Sequence, residues 1–305
     1  MGGLVFNGSS PIRKEDIKPT LREFVREFTS VFPGTERYLE GVKTLGSAGH
    51  KAVSGDIDLA LDEKAFKNPE EWGFDPEDIK ALAAAFKKRA RTASDAMLVK
   101  RAVITLLAKK LNEESELIKT DTKGSGNGTL FCQFPQFDEN GEMIGKWVQV
   151  DINIGDIPWL EFAYHSESYQ EDNIKGLHRT QLMLSLFVEK GYVFSHNYGV
   201  KDKETNEIVA KNPEQAIQLL NKEYGFNLDQ STLANYHKLQ EYLRNNLDTQ
   251  ELNKIYDRYL KILDSTRCDI PADLQNYWLD NQDRLGLTGK FLPSSSKLYA
   301  FREEE

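Results

Sequence analysis

The sequence predicts an α/β (α+β) fold, with a mixed sheet in its first half and a mainly helical second half. Three observations carry this prediction. Apolar residues at helical spacing over 12–31 precede two short apolar stretches, 41–45 and 56–61, that read as strands. A second pair, 129–134 and 146–154, flanks the turn signal Asn140-Gly141 and reads as a hairpin, its second strand alternating apolar and polar residues. After Ile157-Pro158 the pattern changes to helical periodicities. These place one domain over 1–156 and a second over 157–305.

The elements follow in order. Ile17, Leu21, Phe24, Val25 and Phe28 make the first helix amphipathic, and Pro33-Gly34 ends it. The strand at 41–45 leads through the turn GSAGHKAVSG to the strand DIDLAL, and 65–77 reads as a polar loop. Asp75 is placed to cap the next helix, with Pro76 at its first position. Residues 78–111 are helical by composition, with a break near 92–94, and GSGNGT at 124–129 is a flexible loop. In the second half, 176–191 is a helix ending at Gly191, 192–210 a hairpin, and 212–225 a helix with an N-cap and a C-terminal Gly. Residues 230–265 form one or two helices, and the tail 285–305 is expected to fray.

The 305 residues exceed one average domain, which sets the expectation of two. No stretch approaches the ~20 apolar residues of a membrane span. MGGLVFNGSS lacks the basic start and apolar core of a signal peptide. It begins Met-Gly, yet Phe6 stands where a myristoylation signal prefers Ser or Thr. A cytoplasmic protein without a membrane partner is expected, and no feature fixes an oligomeric state. Cys132 and Cys268 lie far apart, match no metal-ligand spacing, and are expected to be reduced, buried thiols. A formal charge of −9 argues against a large nucleic-acid footprint and restricts such contact to a local basic patch.

The informative stretch is Leu45-Gly46-Ser47, eight residues, then Asp56-Ile57-Asp58-Leu59. Carboxylates two apart on a strand share a face, and like charges so placed are costly unless something neutralises them. A hard divalent cation does so, and it prefers carboxylate oxygens and substrate phosphates. A third carboxylate on a neighbouring strand would complete a site for two such ions. Asp151 fits, lying mid-strand where alternation sets Gln149, Asp151 and Asn153 opposite the apolar residues. The Gly46-Ser47 turn lets backbone N–H groups and a hydroxyl approach phosphate oxygens. Taken singly, each of these also fits a solvent-facing strand edge or an ordinary turn.

LGSAGHKAVSGDIDLAL resembles the signature of the DNA polymerase β-type nucleotidyltransferase superfamily: an apolar-Gly-(Gly/Ser) turn, a loop, Asp-apolar-(Asp/Glu), and a third Asp on a later strand. The resemblance covers roughly residues 35–156, and more loosely the chain resembles phage-encoded members. It implies a nucleotidyltransferase-like catalytic domain that moves a nucleoside monophosphate from a triphosphate such as ATP to an acceptor hydroxyl, releasing pyrophosphate. It implies that Gly46 and Ser47 contact the triphosphate. Asp56 and Asp58 would bind two Mg²⁺ or Mn²⁺ ions, with Asp151 completing one site and helping to activate the acceptor. The loop before Asp56 is short for the family and the segment before Asp151 is long, which leaves Asp156 as the alternative third carboxylate.

Superfamily members follow the catalytic unit with a helical region that closes over the nucleotide. Lys175, His178 and Arg179 begin the helix at 176–191 and stand either as triphosphate contacts or as a solvated basic helix end. Tyr192, Ser195, His196 and Tyr198 either stack on a base or ribose or are ordinary hairpin residues. KKRARTAS (87–94) with Lys100-Arg101 either meets an acceptor's phosphates or forms a solvated helix face. Lys119, Lys123 and GSGNGT form a lid or a plain connector. Three functions stand: nucleotide addition to an RNA (tRNA-like) 3′ end, transfer to a protein or small molecule, and a catalytically silent binding module of the same fold.

Overall fold

The computed structural model describes residues 5–46, 48–90, 93–126, 128–166, 174, 176–266 and 268–287. The chain is mixed α/β and divides into two compact units, Met1–Ala163 and Tyr164–Glu305. The division falls later than the expected boundary at 156 because the helix that follows Asp156 stays with the first unit.

In the first unit the order is β1 (Ile12–Arg13), α1 (Lys14–Val31), α2 (Glu36–Leu39), β2 (Lys43–Leu45), β3 (Val53–Ser54) and β4 (Ile57–Asp62). Then come α3 (Pro76–Arg89), α4 (Asp95–Glu114), β5 (Lys119–Thr120), β6 (Thr129–Phe137), β7 (Met143–Gly155) and α5 (Ile157–Tyr164). Five strands form one mixed sheet in the order β2-β4-β7-β6-β5; β4 and β7 run parallel and the other pairs antiparallel. Strands β1 and β3 pair separately.

Alternation along β4 and β7 gives this sheet two different faces. Ile57, Leu59 and Leu61, with Val150, Ile152 and Ile154, are at most 1% exposed and join Phe24 and Phe28 of α1 and Ile104, Leu107 and Leu111 of α4 in one core. Phe24 meets Phe134 of β6 edge to face at 5.2 Å. The other face carries the polar set. Gly141, at φ 80°, closes the β6–β7 hairpin, where Asp138 Oδ1 accepts the backbone N–H groups of Asn140 and Glu142. Asp75 caps α3 by accepting the Glu77 N–H, and the long helical stretch does break, between α3 and α4.

The 65–77 segment is more than a polar loop. It holds two short 3₁₀ turns, Glu63–Phe66 and Pro69–Trp72, and buries Trp72 among Phe28, Phe32, Tyr38 and Phe66. The Trp72 indole donates to the Ala65 carbonyl at 2.8 Å, so the ring is buried without an orphaned donor.

The second unit contains α6 (Gly176–Glu189), β8 (Tyr192–Ser195), β9 (Gly199–Asp202), β10 (Ile208–Ala210) and α7 (Pro213–Tyr224). It continues with α8 (Gln230–Ala234), α9 (Tyr236–Asn246), α10 (Thr249–Thr266) and α11 (Gln275–Leu285). It is mainly helical, with α10 packed along α6. The expected hairpin is a three-stranded meander, β10-β9-β8. The expected one or two helices over 230–265 are three, because Asp229 and Asn235 each cap a new start. Residues 288–305 of the tail lie outside the described residues. No described helix is long and apolar enough to cross a membrane.

Candidate active site

The polar face of the five-stranded sheet gathers the carboxylates. Asp58 and Asp151 are direct partners in the register of the parallel strands β4 and β7, so both side chains leave the same face on adjacent strands about 4.8 Å apart. Asp56 stands half-buried two residues before Asp58. Leu45, the last residue of β2, lies opposite Asp58, so the turn that begins at Gly46 leaves the sheet beside the start of β4. Gly46 sits at φ 65°, a left-handed conformation that favours glycine. Ser47 lies outside the described residues, and so does Lys175.

Asp156 is the weaker third carboxylate on geometry. It falls one residue beyond β7, and its Oδ2 accepts the Trp159 N–H at 3.3 Å at the start of α5. Asp151 is the one that faces Asp58.

The electrostatics of this face are those of crowded acids. Burial, then Asp56 and Asp151, raise Asp58 well above the usual carboxylate range. Asp151, 8% exposed, is pushed up to about 7, first by burial and then by the Asp56 charge. No Lys or Arg side chain among the described residues pairs with Asp58 or Asp151. Carboxamides attend them instead. Gln149 Nε2 donates to both oxygens of Asp151 at 2.9 and 3.0 Å, and Asn153 Nδ2 donates to Asp58 Oδ1 at 3.3 Å. On the opposite face Cys132 is buried and free, its thiol raised by burial and by Asp151; in the second unit, Cys268 after α10 is also buried and free.

An all-oxygen donor set in which like charges suppress one another's ionisation has the chemistry that Mg²⁺ or Mn²⁺ requires. It is not drawn together into a ready cage: among the described residues no group of three His, Cys, Asp or Glu is placed to hold a metal ion. If divalent cations bind this face, Asp56, Asp58 and Asp151 are the carboxylates available to hold them.

The remaining predicted residues divide differently. His178 and Arg179 are 2% and 1% exposed. His178 Nδ1 meets the Tyr259 hydroxyl at 2.9 Å, its Nε2 lies 3.6 Å from Asp269, and Arg179 Nε donates to the Leu233 carbonyl. Both are buried in the interior of the helical unit, which corrects the alternative of a solvated basic helix end. His196 packs against Phe194 and Tyr164 and is pushed down to about 4 by burial and then by Arg179. Tyr192 donates to Glu223 at 3.1 Å, and the Ser195 hydroxyl accepts the Asn197 N–H at 3.4 Å. Tyr198, in the same β8–β9 connection, is half-buried. These are the contacts of a packed meander.

In the basic run, Lys87, Lys88 and Arg89 are exposed in the last turn of α3, where cations suit the helix dipole, and Lys87 pairs with Asp95 at 3.1 Å. Arg91 and Thr92 lie outside the described residues. Lys100 is nearly buried, pairs with Glu63 and donates to the Ile154 carbonyl at the end of β7. The Arg101 guanidinium lies over the Phe86 ring at 4.6 Å. Lys119 belongs to edge strand β5 and lies over Trp147 at 4.4 Å. The Lys123 N–H is tied to Asp121, and Gly126 and Thr129 exchange backbone hydrogen bonds, so the segment behaves as a bonded connector; Asn127 lies outside the described residues.

No protein-family model matches this chain, and no curated protein matches it.

Proposed function

We propose that the chain is a metal-dependent nucleotidyltransferase that moves a nucleoside monophosphate from a nucleoside triphosphate to an acceptor hydroxyl. One observation supports this reading above all: Asp58 and Asp151 face each other in register on adjacent parallel strands, with Asp56 and the Gly46 turn at the same end of the sheet. Two bound divalent ions would polarise the α-phosphate, favour the acceptor alkoxide and neutralise the departing pyrophosphate.

The chain's own residues have distinct parts in this scheme. Asp56, Asp58 and Asp151 supply the anionic oxygens, and the Gly46 turn offers backbone N–H groups to the triphosphate. The acceptor oxygen forms a bond to the α-phosphorus while the bond from that phosphorus to the β-bridging oxygen breaks. Asp151 receives the hydroxyl proton, and pyrophosphate leaves with the bond electrons. The acceptor we favour is an RNA 3′ end, since Lys88 and Arg89 are exposed on the same unit as the carboxylates. Transfer to a protein or small molecule is the second reading, suited to the net charge of −9.

A transfer assay tests both. Each α-labelled ribonucleotide is supplied with Mg²⁺ or Mn²⁺, cell RNA and cell protein, with Asp56→Ala as control. Nuclease-sensitive label supports the RNA acceptor, and protease-sensitive or small-molecule label the second reading. If no label exceeds the control with either metal and calorimetry detects no metal–nucleotide binding, the silent module takes the place of the enzyme.

A further inference from the structure

The two carboxamides beside the carboxylates are each gripped from both ends. Gln149 donates to Asp151 through Nε2, while its Oε1 accepts the Val5 backbone N–H at 2.9 Å. A backbone N–H can only donate, so Val5 fixes which end of the amide faces it and turns the other end to Asp151. Asn153 donates to Asp58 through Nδ2, while its Oδ1 accepts the Thr129 hydroxyl at 2.9 Å. Both amides are 1% exposed, so turning either one over would leave buried donors and acceptors mismatched.

The pattern repeats along the strand. Gln149 touches both oxygens of Asp151 and Asn153 one oxygen of Asp58, and since a carboxylate can accept from about four directions, each amide fixes the carboxylate rotamer and leaves lone pairs directed away from itself. Gln149, Asp151 and Asn153 occupy alternate positions of β7, so both braces lie on the carboxylate face. Among the described residues Thr129 and Val5 hydrogen-bond to neither carboxylate, yet each orients the amide that does.

We infer that Gln149 and Asn153 are positioning residues that set the Asp151 and Asp58 carboxylates for divalent-cation binding, with Thr129 and the Val5 backbone acting through them. This rests on the metal-dependent reading of the site. Partners that orient a ligating side chain in this way change metal affinity about 10–100-fold when removed. A role confined to filling the interior would leave that affinity alone.

Thr129 separates the two roles, because Thr129→Val keeps the shape and loses the hydroxyl, while Thr129→Ser keeps the hydroxyl. Mn²⁺ alone is titrated calorimetrically into the full chain and into Thr129→Val, Thr129→Ser, Gln149→Met and Asp58→Ala. Melting temperature in chelator reports the fold of each. Thr129→Val and Gln149→Met are expected to bind Mn²⁺ about 10–100-fold more weakly, with Thr129→Ser close to the parent. Mn²⁺ binding that is lost in Asp58→Ala but unchanged in Thr129→Val overturns this inference and leaves the metal reading standing. A parent chain that takes up no Mn²⁺ overturns both. If Gln149→Met does not fold, the Thr129 pair decides alone.

Discussion

Asp151 is an acid that its surroundings hold back from ionising. Burial and the neighbouring Asp56 charge keep it near 7, whereas the unfolded chain returns it to about 3.9. Between those values the folded state keeps a proton that the unfolded state has lost. The stability this group contributes is therefore complete below about pH 4 and is lost as pH rises through 7. At about 1.4 kcal/mol per pKa unit, the three-unit difference sets a ceiling of about 4 kcal/mol. Asp151→Asn removes the suppressed charge while leaving Gln149 an oxygen to bond. In chelator this variant should melt above the parent at pH 8 and with it at pH 4, and it should have lost transfer activity. Coincident melting at pH 8 would mean that the carboxylate is not strained by its neighbours. Millimolar Mn²⁺ should raise the parent's melting temperature at pH 8 far more than the variant's, because a ligand that binds only the folded state stabilises it by an amount that grows with the logarithm of one plus the ratio of its concentration to its dissociation constant.

Among the elements, the meander of the second unit depends on one backbone position. Gly199 opens β9 at φ 100°, and a Cβ there would stand 2.2 Å from the Ala210 carbonyl oxygen. The obstacle is backbone, so Gly199→Ala must open the β9–β10 pairing; we expect a loss of at least about 2 kcal/mol in denaturant unfolding. A variant as stable as the parent would mean that β10 moves aside freely. Trp72→Ala should cost about 3–5 kcal/mol by emptying the centre of an aromatic cluster, and a loss under 1 kcal/mol would show that the 3₁₀ segment collapses to fill it. The same elements show where sequence reading stops. Alternation over two residues is local, so Asp58, Asp151, Gln149 and Asn153 could all be set on polar faces from sequence. Which strand lies beside which depends on packing between distant segments, so the register that pairs Asp58 with Asp151 was not legible. Thr129 and Val5 escaped notice for the same reason: each bonds an amide 24 or 144 residues away. Trp72 was hidden in a polar, aperiodic stretch, and β5 is two residues long, too short to show a period. The burial of His178 and Arg179 is not legible either, because charge alone suggests a surface, while their partners, Tyr259 and Leu233, arrive from helices much later in the chain.

At the scale of the whole molecule, the two units carry acid–base groups of opposite sign. In Met1–Ala163, Asp58 and Asp151 are raised, so that unit gains stability as pH falls from about 7 towards 4. In Tyr164–Glu305, His196 is lowered to about 4 from about 6.5 in the unfolded chain, because burial and then Arg179 disfavour its charged form. For a depressed histidine the stability is present above about 6.5 and is lost as pH falls towards 4, since the unfolded state then binds the proton the folded state refuses. Over the same interval one unit strengthens while the other weakens. These contributions therefore offset one another in part, and the two should be separable by substitution. His196→Phe keeps a flat ring against Phe194 and Tyr164 and removes the titration, so it should flatten the loss on acidification and leave the behaviour above pH 7 unchanged. Asp151→Asn should flatten only the alkaline loss. Because the two sites share no bonding partner among the described residues, the double variant should show the sum of the two changes within about 0.5 kcal/mol. Chemical denaturation in chelator at pH 4.5, 6 and 8 measures all four forms. A His196→Phe curve parallel to the parent's across that range would remove His196 from the account of acid instability and leave the carboxylate contribution to stand by itself.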